Sequence, residues 1–129
     1  MIPKVLFVCV ENSCRSQMAE GLARSIGGDA VEVYSAGARA CGCVDQTAIS
    51  VMAERGIDIK TQRSTGFSEL PTVFWDAVIT MGCGAEPPKL PSKHSADWGL
   101  PNPKGSTIDA FREARDAIEA KVRELLEQI

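Results

Sequence analysis

The chain has 129 residues, of which 44% are hydrophobic and 24% are charged, and its formal net charge at pH 7 is -3. This length and composition are typical of one globular domain that forms a core without disulfide or metal support. The acidic balance excludes a broad basic surface for nucleic acid, and no apolar run is long enough to cross a membrane. Because the five cysteines follow no signal peptide, we expect a cytoplasmic protein whose thiols do redox or nucleophilic work.

The first predicted strand ends in an unbroken apolar run, Val5-Leu6-Phe7-Val8, as in strands that are buried on both faces. A helix is predicted from Ser16, because apolar residues recur at helical spacing as far as Ile26 before Gly27-Gly28 ends it. Between them lies the Cys-x5-Arg segment Cys9-Val10-Glu11-Asn12-Ser13-Cys14-Arg15. This order predicts an anion-binding loop at a helix N-terminus, where backbone N–H groups and the helix dipole favour negative charge.

The Cys-x5-Arg segment has the chemistry of an oxyanion site with a nucleophile at its start. Its backbone N–H groups can surround a tetrahedral anion, and the Arg15 guanidinium can hold two of the oxygens. The same positive field favours a thiolate at Cys9, which makes that sulfur nucleophilic at neutral pH. Ser16 can donate a hydrogen bond to the thiolate, and Asn12 can brace the loop. We therefore predict catalytic roles for Cys9, Arg15 and Ser16, and anion binding by Val10, Glu11, Asn12, Ser13 and Cys14.

The rest of the chain alternates strand and helix signals, which predicts a parallel α/β sheet. Strands are predicted at residues 30–35, 76–80 and 95–98, the last of them within a proline-rich loop, and helices at residues 46–55 and 108–125. The last helix has one apolar face, formed by Ile108, Phe111, Ala114, Ile118, Val122 and Leu125. No repeat or linker divides the chain, so one domain is expected over residues 1–129.

The cysteines are placed in the loops that follow the first three predicted strands. In a parallel sheet those loops share the edge at the carboxyl ends of the strands, where ligands bind. All five thiols are therefore expected at one edge: Cys9, Cys14, Cys41, Cys43 and Cys83. This convergence favours redox chemistry over simple phosphate hydrolysis.

With these residues in view, the chain resembles the low-molecular-weight tyrosine phosphatase superfamily, and within it the arsenate reductases. The matching segments follow the chain in order, at residues 5–9, 12–21, 35–37, 56–59, 62–64, 80–84 and 97–100. The resemblance implies a four-stranded parallel sheet in flavodoxin-like order with helices on both faces. Phosphatase members typically follow the serine with proline and carry tyrosines beside the acid loop. Here Gln17 follows Ser16 and the single tyrosine is Tyr34, so the reductase branch matches better.

The resemblance also implies a reaction, the thiol-dependent reduction of arsenate to arsenite. The Cys9 thiolate would attack arsenic with loss of an oxygen as water or hydroxide, while the loop and Arg15 hold the anion. Cys83, or a small thiol such as glutathione, would then attack the Cys9 sulfur, so that arsenite leaves as a disulfide forms. Thioredoxin or the glutathione/glutaredoxin system would restore the thiols. No metal or organic cofactor would be needed.

Two positions depart from the superfamily pattern. The general acid, an aspartate before proline, is replaced by Asn102, and an amide cannot act as an acid. Thioredoxin-linked members place another cysteine shortly after the one that matches Cys83, and this chain has none there. Either the Cys9–Cys83 disulfide is reduced directly, or Cys41 and Cys43 relay it. Two alternatives therefore stay open, a low-molecular-weight phosphatase and a non-catalytic protein that binds oxyanions or arsenite.

Overall fold

The computed structural model describes residues 2–82 and 90–129, and the predicted site residue Cys83 lies outside these ranges. Four parallel strands form one sheet in the order β2-β1-β3-β4. They are β1 (Lys4–Cys9), β2 (Glu32–Gly37), β3 (Trp75–Thr80) and β4 (Ser92–Asp97). This is the flavodoxin-like order, so the predicted α/β fold class is confirmed.

In the described ranges three α-helices accompany the sheet, and their positions agree with the sequence-based expectations to within a few residues. They are α1 (Arg15–Gly27), α2 (Gln46–Ala53) and α3 (Ile108–Gln128), with 3-10 turns at Gly28–Ala30 and Phe67–Glu69. None of the helices in the described parts of the chain combines the length and apolar character that a membrane crossing requires.

The side chains of the central strand β1 alternate between two apolar layers, as the pleat of a strand requires. Val5, Phe7 and Cys9 belong to the layer to which all three α-helices contribute, whereas Leu6 and Val8 face the other side of the sheet. That second side is covered by the segment 67–73. Because β1 lies between β2 and β3, the connection from β2 to β3 has to pass over β1, and a right-handed connection passes on this second side of the sheet. Helices were expected on both faces, and the second face carries a 3-10 turn in place of an α-helix.

The predicted apolar face of α3 is buried from Phe111 to Leu125. Ile108 is the exception, because it is 43% exposed. Residues 107–109 are all exposed, so the first turn of α3 stands clear of the core and its apolar face begins one turn later than expected.

Candidate active site

The Cys-x5-Arg segment, residues 9–15, forms what we call the anion loop. Cys9 ends the central strand β1 and Arg15 begins α1, so the loop lies at the carboxyl edge of the sheet against a helix N-terminus. It borders a cavity of about 170 Å³. The cavity is lined by Cys9, Val10, Glu11, Ser13, Cys14, Arg15, Asn102 and Lys104. No acidic side chain lies in the first turn of α1, which leaves its amide dipoles available to an anion.

The predicted nucleophile, Cys9, is hydrogen-bonded inside the protein. Cys9 Sγ lies 2.8 Å from Ser16 Oγ, and both side chains are buried. The Asn12 side-chain amide donates to Ser16 Oγ at 2.8 Å. A hydroxyl that accepts from Asn12 keeps its own proton free to donate to the sulfur, as the predicted role of Ser16 requires.

The loop that follows β2, residues 38–45, holds the anion loop from outside, and we call it the flanking loop. Its backbone N–H groups donate to anion-loop carbonyls: Arg39 to Val10 at 2.7 Å, Cys41 to Glu11 at 3.0 Å and Asp45 to Ser13 at 2.9 Å. In a peptide unit the C=O and N–H point in opposite directions. The N–H group of the residue after each of these carbonyls therefore points away from the flanking loop, towards the side where an anion would bind.

Close backbone approach is what allows this contact. A Cβ atom on Gly37, the last residue of β2, would lie 2.6 Å from Val10 O and 2.8 Å from Asn12 N, so no larger residue fits. Asn12 itself has a φ of 52°, a left-handed conformation that asparagine tolerates better than most residues. The anion loop thus depends on a glycine in the neighbouring strand and on an asparagine at its own turn.

Gln17 is a supporting residue that the sequence did not assign to the site. Its fully buried side-chain amide donates to Asn12 O and Asn12 Oδ1 at 3.0 Å, and to Arg63 O at 2.9 Å. The Oδ1 atom of Asn12 also accepts from Thr65 N at 2.7 Å. Asn12 is therefore fixed from two sides. The signal available in the sequence was a glutamine near the start of the predicted helix. Only the structure shows that the first nine residues of this helix are all buried.

Arg15 does more than the sequence predicted. It lines the cavity, but it is only 3% exposed. One of its terminal nitrogens donates to Met81 O at 2.7 Å and to Leu100 O at 2.6 Å. The guanidinium therefore joins the loops after β3 and β4 to the anion loop while it faces the anion position. The predicted two-oxygen clamp on the anion stays a prediction.

The cavity lining also includes an amide and a cation. Asn102 contributes the amide, and its Oδ1 atom accepts from Lys104 N at 3.1 Å. The Lys104 ammonium forms an ion pair with the Glu11 carboxylate, and this contact raises the lysine pKa. Lys104 thereby offsets the negative charge that Glu11 brings to the cavity. Asp97, the last residue of β4, does not line the cavity, and its carboxylate accepts from Thr80 Oγ1 at 2.7 Å.

The second thiol of the anion loop differs from the first. Cys14 is 3% exposed, and burial raises its pKa to about 12 despite a hydrogen bond with Ser13. It is therefore held as a neutral thiol at the cavity wall, and not as a second nucleophile.

Cys41 and Cys43 lie in the flanking loop, at the predicted edge of the sheet, but they do not line the cavity. Both are exposed, and their Sγ atoms are 3.5 Å apart. The structure thus brings four of the five thiols to adjoining loops. The fifth, Cys83, falls outside the described residues.

With the geometry of the site established, known proteins provide an independent comparison. The family model described as low molecular weight phosphotyrosine protein phosphatase matches residues 4–129. The glutaredoxin arsenate reductase of Synechocystis is 40% identical over 129 residues, which cover 98% of each protein. A solved arsenate reductase in the phosphate binding state superimposes with a TM-score of 0.92 at 38% identity, over 99% of both chains. The thioredoxin-dependent arsenate reductase of Corynebacterium glutamicum gives a TM-score of 0.80 at 34% identity, covering 98% of this chain and 61% of that one.

The match to the family model covers almost the entire chain, and the relatives align over the anion loop and the sheet that positions it. The chain therefore belongs to the low molecular weight phosphotyrosine protein phosphatase family, within its arsenate reductase branch.

Proposed function

We propose that this protein reduces arsenate to arsenite with electrons from thiols. The observation that carries the proposal is the buried Cys9 sulfur, 2.8 Å from a serine hydroxyl, at the base of an anion-sized cavity. Arsenate is a tetrahedral oxyanion, so the same amides and cations that suit phosphate suit it. Relatives named as arsenate reductases over the whole chain length support this choice of anion.

The first step is nucleophilic substitution at arsenic. The Cys9 thiolate forms an S–As bond, and one arsenic–oxygen bond breaks to release water or hydroxide. Arg15 and Lys104 supply positive charge on two sides of the anion as this happens. The hydrogen bond between Ser16 and the Cys9 sulfur weakens as the negative charge on that sulfur is used to form the S–As bond. Arsenic remains pentavalent in this adduct.

The second step transfers two electrons. A second thiolate attacks the Cys9 sulfur, the S–As bond breaks, and its electron pair stays with arsenic, which leaves as trivalent arsenite. One sulfur–sulfur bond forms, so both electrons come from the two thiols. We assign the second thiol to Cys83 or to glutathione. A thioredoxin or glutaredoxin system then reduces the disulfide, and we infer that no metal or organic cofactor takes part.

The replacement of the family's acid favours this reaction over phosphatase activity. An alkoxide leaving group needs a proton from a general acid, which contributes roughly 10²–10⁴-fold to such reactions. Asn102 cannot supply it. Arsenate exchanges its oxygens with thiols more readily than phosphate does, because the arsenic–oxygen bond is longer and weaker, so a reductase tolerates the loss of the acid better. We place the reaction in the cytoplasm, where thiol reductants are abundant.

The test is arsenite production from arsenate with thioredoxin or with glutathione and glutaredoxin, for wild type, Cys9→Ser and Cys83→Ser. We expect Cys9→Ser to abolish turnover with every reductant. Loss in Cys83→Ser assigns the second thiol to the protein, whereas activity that persists with glutathione assigns it to the small thiol. Turnover that survives in Cys9→Ser, or no turnover by wild type with either system, would overturn the proposal. Cys43→Ser serves as the matched cysteine control, and its loss of turnover would indicate the relay through Cys41 and Cys43.

A further inference from the structure

The thiols of Cys41 and Cys43 form a pair that the reduction of arsenate does not use in the steps above. Gly42 separates them, and its φ of 84° is a left-handed conformation that favours glycine. This turn brings the two Sγ atoms to 3.5 Å from each other on the exposed side of the flanking loop. Because both thiols are exposed to solvent, soft, thiophilic ligands can reach them.

The pair is fixed in place at both ends. Cys41 N donates to Glu11 O at 3.0 Å, and Gly42 N donates to Ser64 Oγ at 3.2 Å. On the other side, Val44 is buried and Asp45 N donates to Ser13 O. The backbone that carries the two sulfurs is therefore held in place without a ligand, which lowers the entropy lost when one binds.

The separation fits a bridging atom better than a sulfur–sulfur bond. A disulfide would require the two sulfurs to approach to about 2.05 Å. If one atom bound both sulfurs at about 2.3 Å, the length of a thiolate bond to zinc, the angle between its two bonds would be about 100° at the observed sulfur–sulfur separation. Trivalent arsenic carries a lone pair and forms three pyramidal bonds with angles below the tetrahedral value. That geometry matches the pair.

We propose that Cys41 and Cys43 form a binding site for trivalent arsenic, next to the cavity in which arsenate is reduced. Arsenous acid loses two of its As–O bonds and gains two As–S bonds, and two molecules of water leave with the thiol protons. Arsenic stays trivalent throughout, so the step needs no oxidant or reductant. The choice of ligand rests on the proposed function, because arsenite is the product released there.

The two thiols differ in their electrostatics. Burial opposes ionisation of Cys41, but hydrogen bonds with Cys43 and Ser64 and the charge of Lys104 outweigh it and lower the Cys41 pKa. The hydrogen bond with Cys41 and the charge of that thiolate raise the Cys43 pKa, so Cys41 is the first of the pair to ionise. Lys104 also lines the cavity, so the thiol pair and the anion site share one cation. Product released from the cavity therefore passes close to a dithiol that can hold it.

The experiment titrates the fully reduced protein with sodium arsenite in the absence of oxygen and of arsenate. Bound arsenic is measured by equilibrium dialysis, and the protected cysteines are identified by alkylation and peptide mass spectrometry. We expect one arsenic per chain with Cys41 and Cys43 protected, in wild type and in Cys9→Ser. Either Cys41→Ser or Cys43→Ser should weaken binding by about 10²-fold or more, since a chelate becomes a single thiol contact. Ala40→Ser, a change at the exposed neighbouring position, is the matched control and should bind like wild type.

Equal binding by wild type and both cysteine variants would overturn the inference, and so would loss of binding in Cys9→Ser alone. Circular dichroism of each variant separates loss of binding from loss of fold. The outcome is independent of turnover. A protein that reduces arsenate but leaves Cys41 and Cys43 unprotected overturns only this site, and one that binds arsenite without reducing arsenate overturns only the proposed function.

Discussion

Ser16 Oγ lies 2.8 Å from Cys9 Sγ in the first turn of α1 and accepts a hydrogen bond from the Asn12 side-chain amide. The serine keeps its own proton free to donate to the sulfur. The helix α1 sets the position of the serine, and the strand β1 sets the position of the sulfur. The geometry of the Cys9–Ser16 contact is therefore as rigid as the junction between β1 and α1.

Removing this hydroxyl should weaken the nucleophile. Ser16→Ala deletes a hydrogen bond to a charged sulfur, worth about 1.5–3 kcal/mol, so we expect turnover to fall about 10- to 100-fold. The rate at which iodoacetamide alkylates Cys9 at a fixed neutral pH should fall as well, because the sulfur loses a hydrogen-bond donor. Ser13→Ala is the control for the alkylation rate, since its hydroxyl contacts Cys14 Sγ at 3.6 Å and not Cys9. An unchanged alkylation rate in Ser16→Ala would contradict this role.

The support that Gln17 gives to the anion loop should appear in both stability and activity. Gln17→Met keeps the side-chain volume but leaves the buried Asn12 carbonyl and the partly buried Arg63 carbonyl without their donor. Because an unsatisfied buried polar group costs about 1–3 kcal/mol, the free energy of unfolding in urea should fall by about 2 kcal/mol or more. Arsenate turnover should fall with it.

Gln62→Met separates a loop effect from a general loss of stability. Gln62 donates to Gln17 O and Gln17 Oε1 but makes no hydrogen bond to the anion loop. This variant should be destabilised yet keep its arsenate turnover. Equal loss of activity in both variants would mean that Gln17 acts only through stability.

The buried thiol of Cys14 predicts a loss of stability at high pH. Its pKa is raised by burial from 9.0 to about 12 in the folded protein, so the folded state holds the proton more tightly than the unfolded chain. Stability from this group is therefore complete below pH 9 and is lost as the pH rises towards 12. Cys14→Ala should flatten the decline that urea unfolding measures above pH 9. A decline of the same steepness in the variant would show that other groups cause it.

Restoring the missing carboxyl should reveal the latent phosphatase chemistry of the fold. Asn102→Asp places an acid in the lining of the cavity that Cys9 also lines, and we expect hydrolysis of p-nitrophenyl phosphate to rise by about 10²-fold, the lower end of what a general acid contributes. Lys104 lines the same cavity and favours the ionised carboxylate, which limits the gain at neutral pH. Arsenate turnover should change much less. Asp97→Asn is the control, because that carboxylate bonds to Thr80 and does not line the cavity.

The local features of the site were predictable because each depends on neighbours in the sequence. The apolar run of β1, the Cys-x5-Arg segment and the periodic apolar residues of α1 are adjacent, and together they specify a strand, a loop and a helix N-terminus. The meeting of the cysteine loops followed from the rules for parallel sheets, and the order of the strands followed from the family resemblance. The edge strand β4 was predicted three residues late because its exposed sequence, Ser92 to Asp97, has little hydrophobic pattern to reveal it.

The sequence by itself thus determined the fold class and the kind of ligand, and it predicted the nucleophile. Only the tertiary structure decided how these residues are supported: Gly37 against the anion loop, Gln17 on Asn12, and Lys104 paired with Glu11 across 93 positions of the chain. Such contacts join segments that are far apart in sequence, so they leave no periodicity or spacing to read. They are fixed by the packing of the sheet and by the need to pair every buried polar group, and both exist only once the chain has folded.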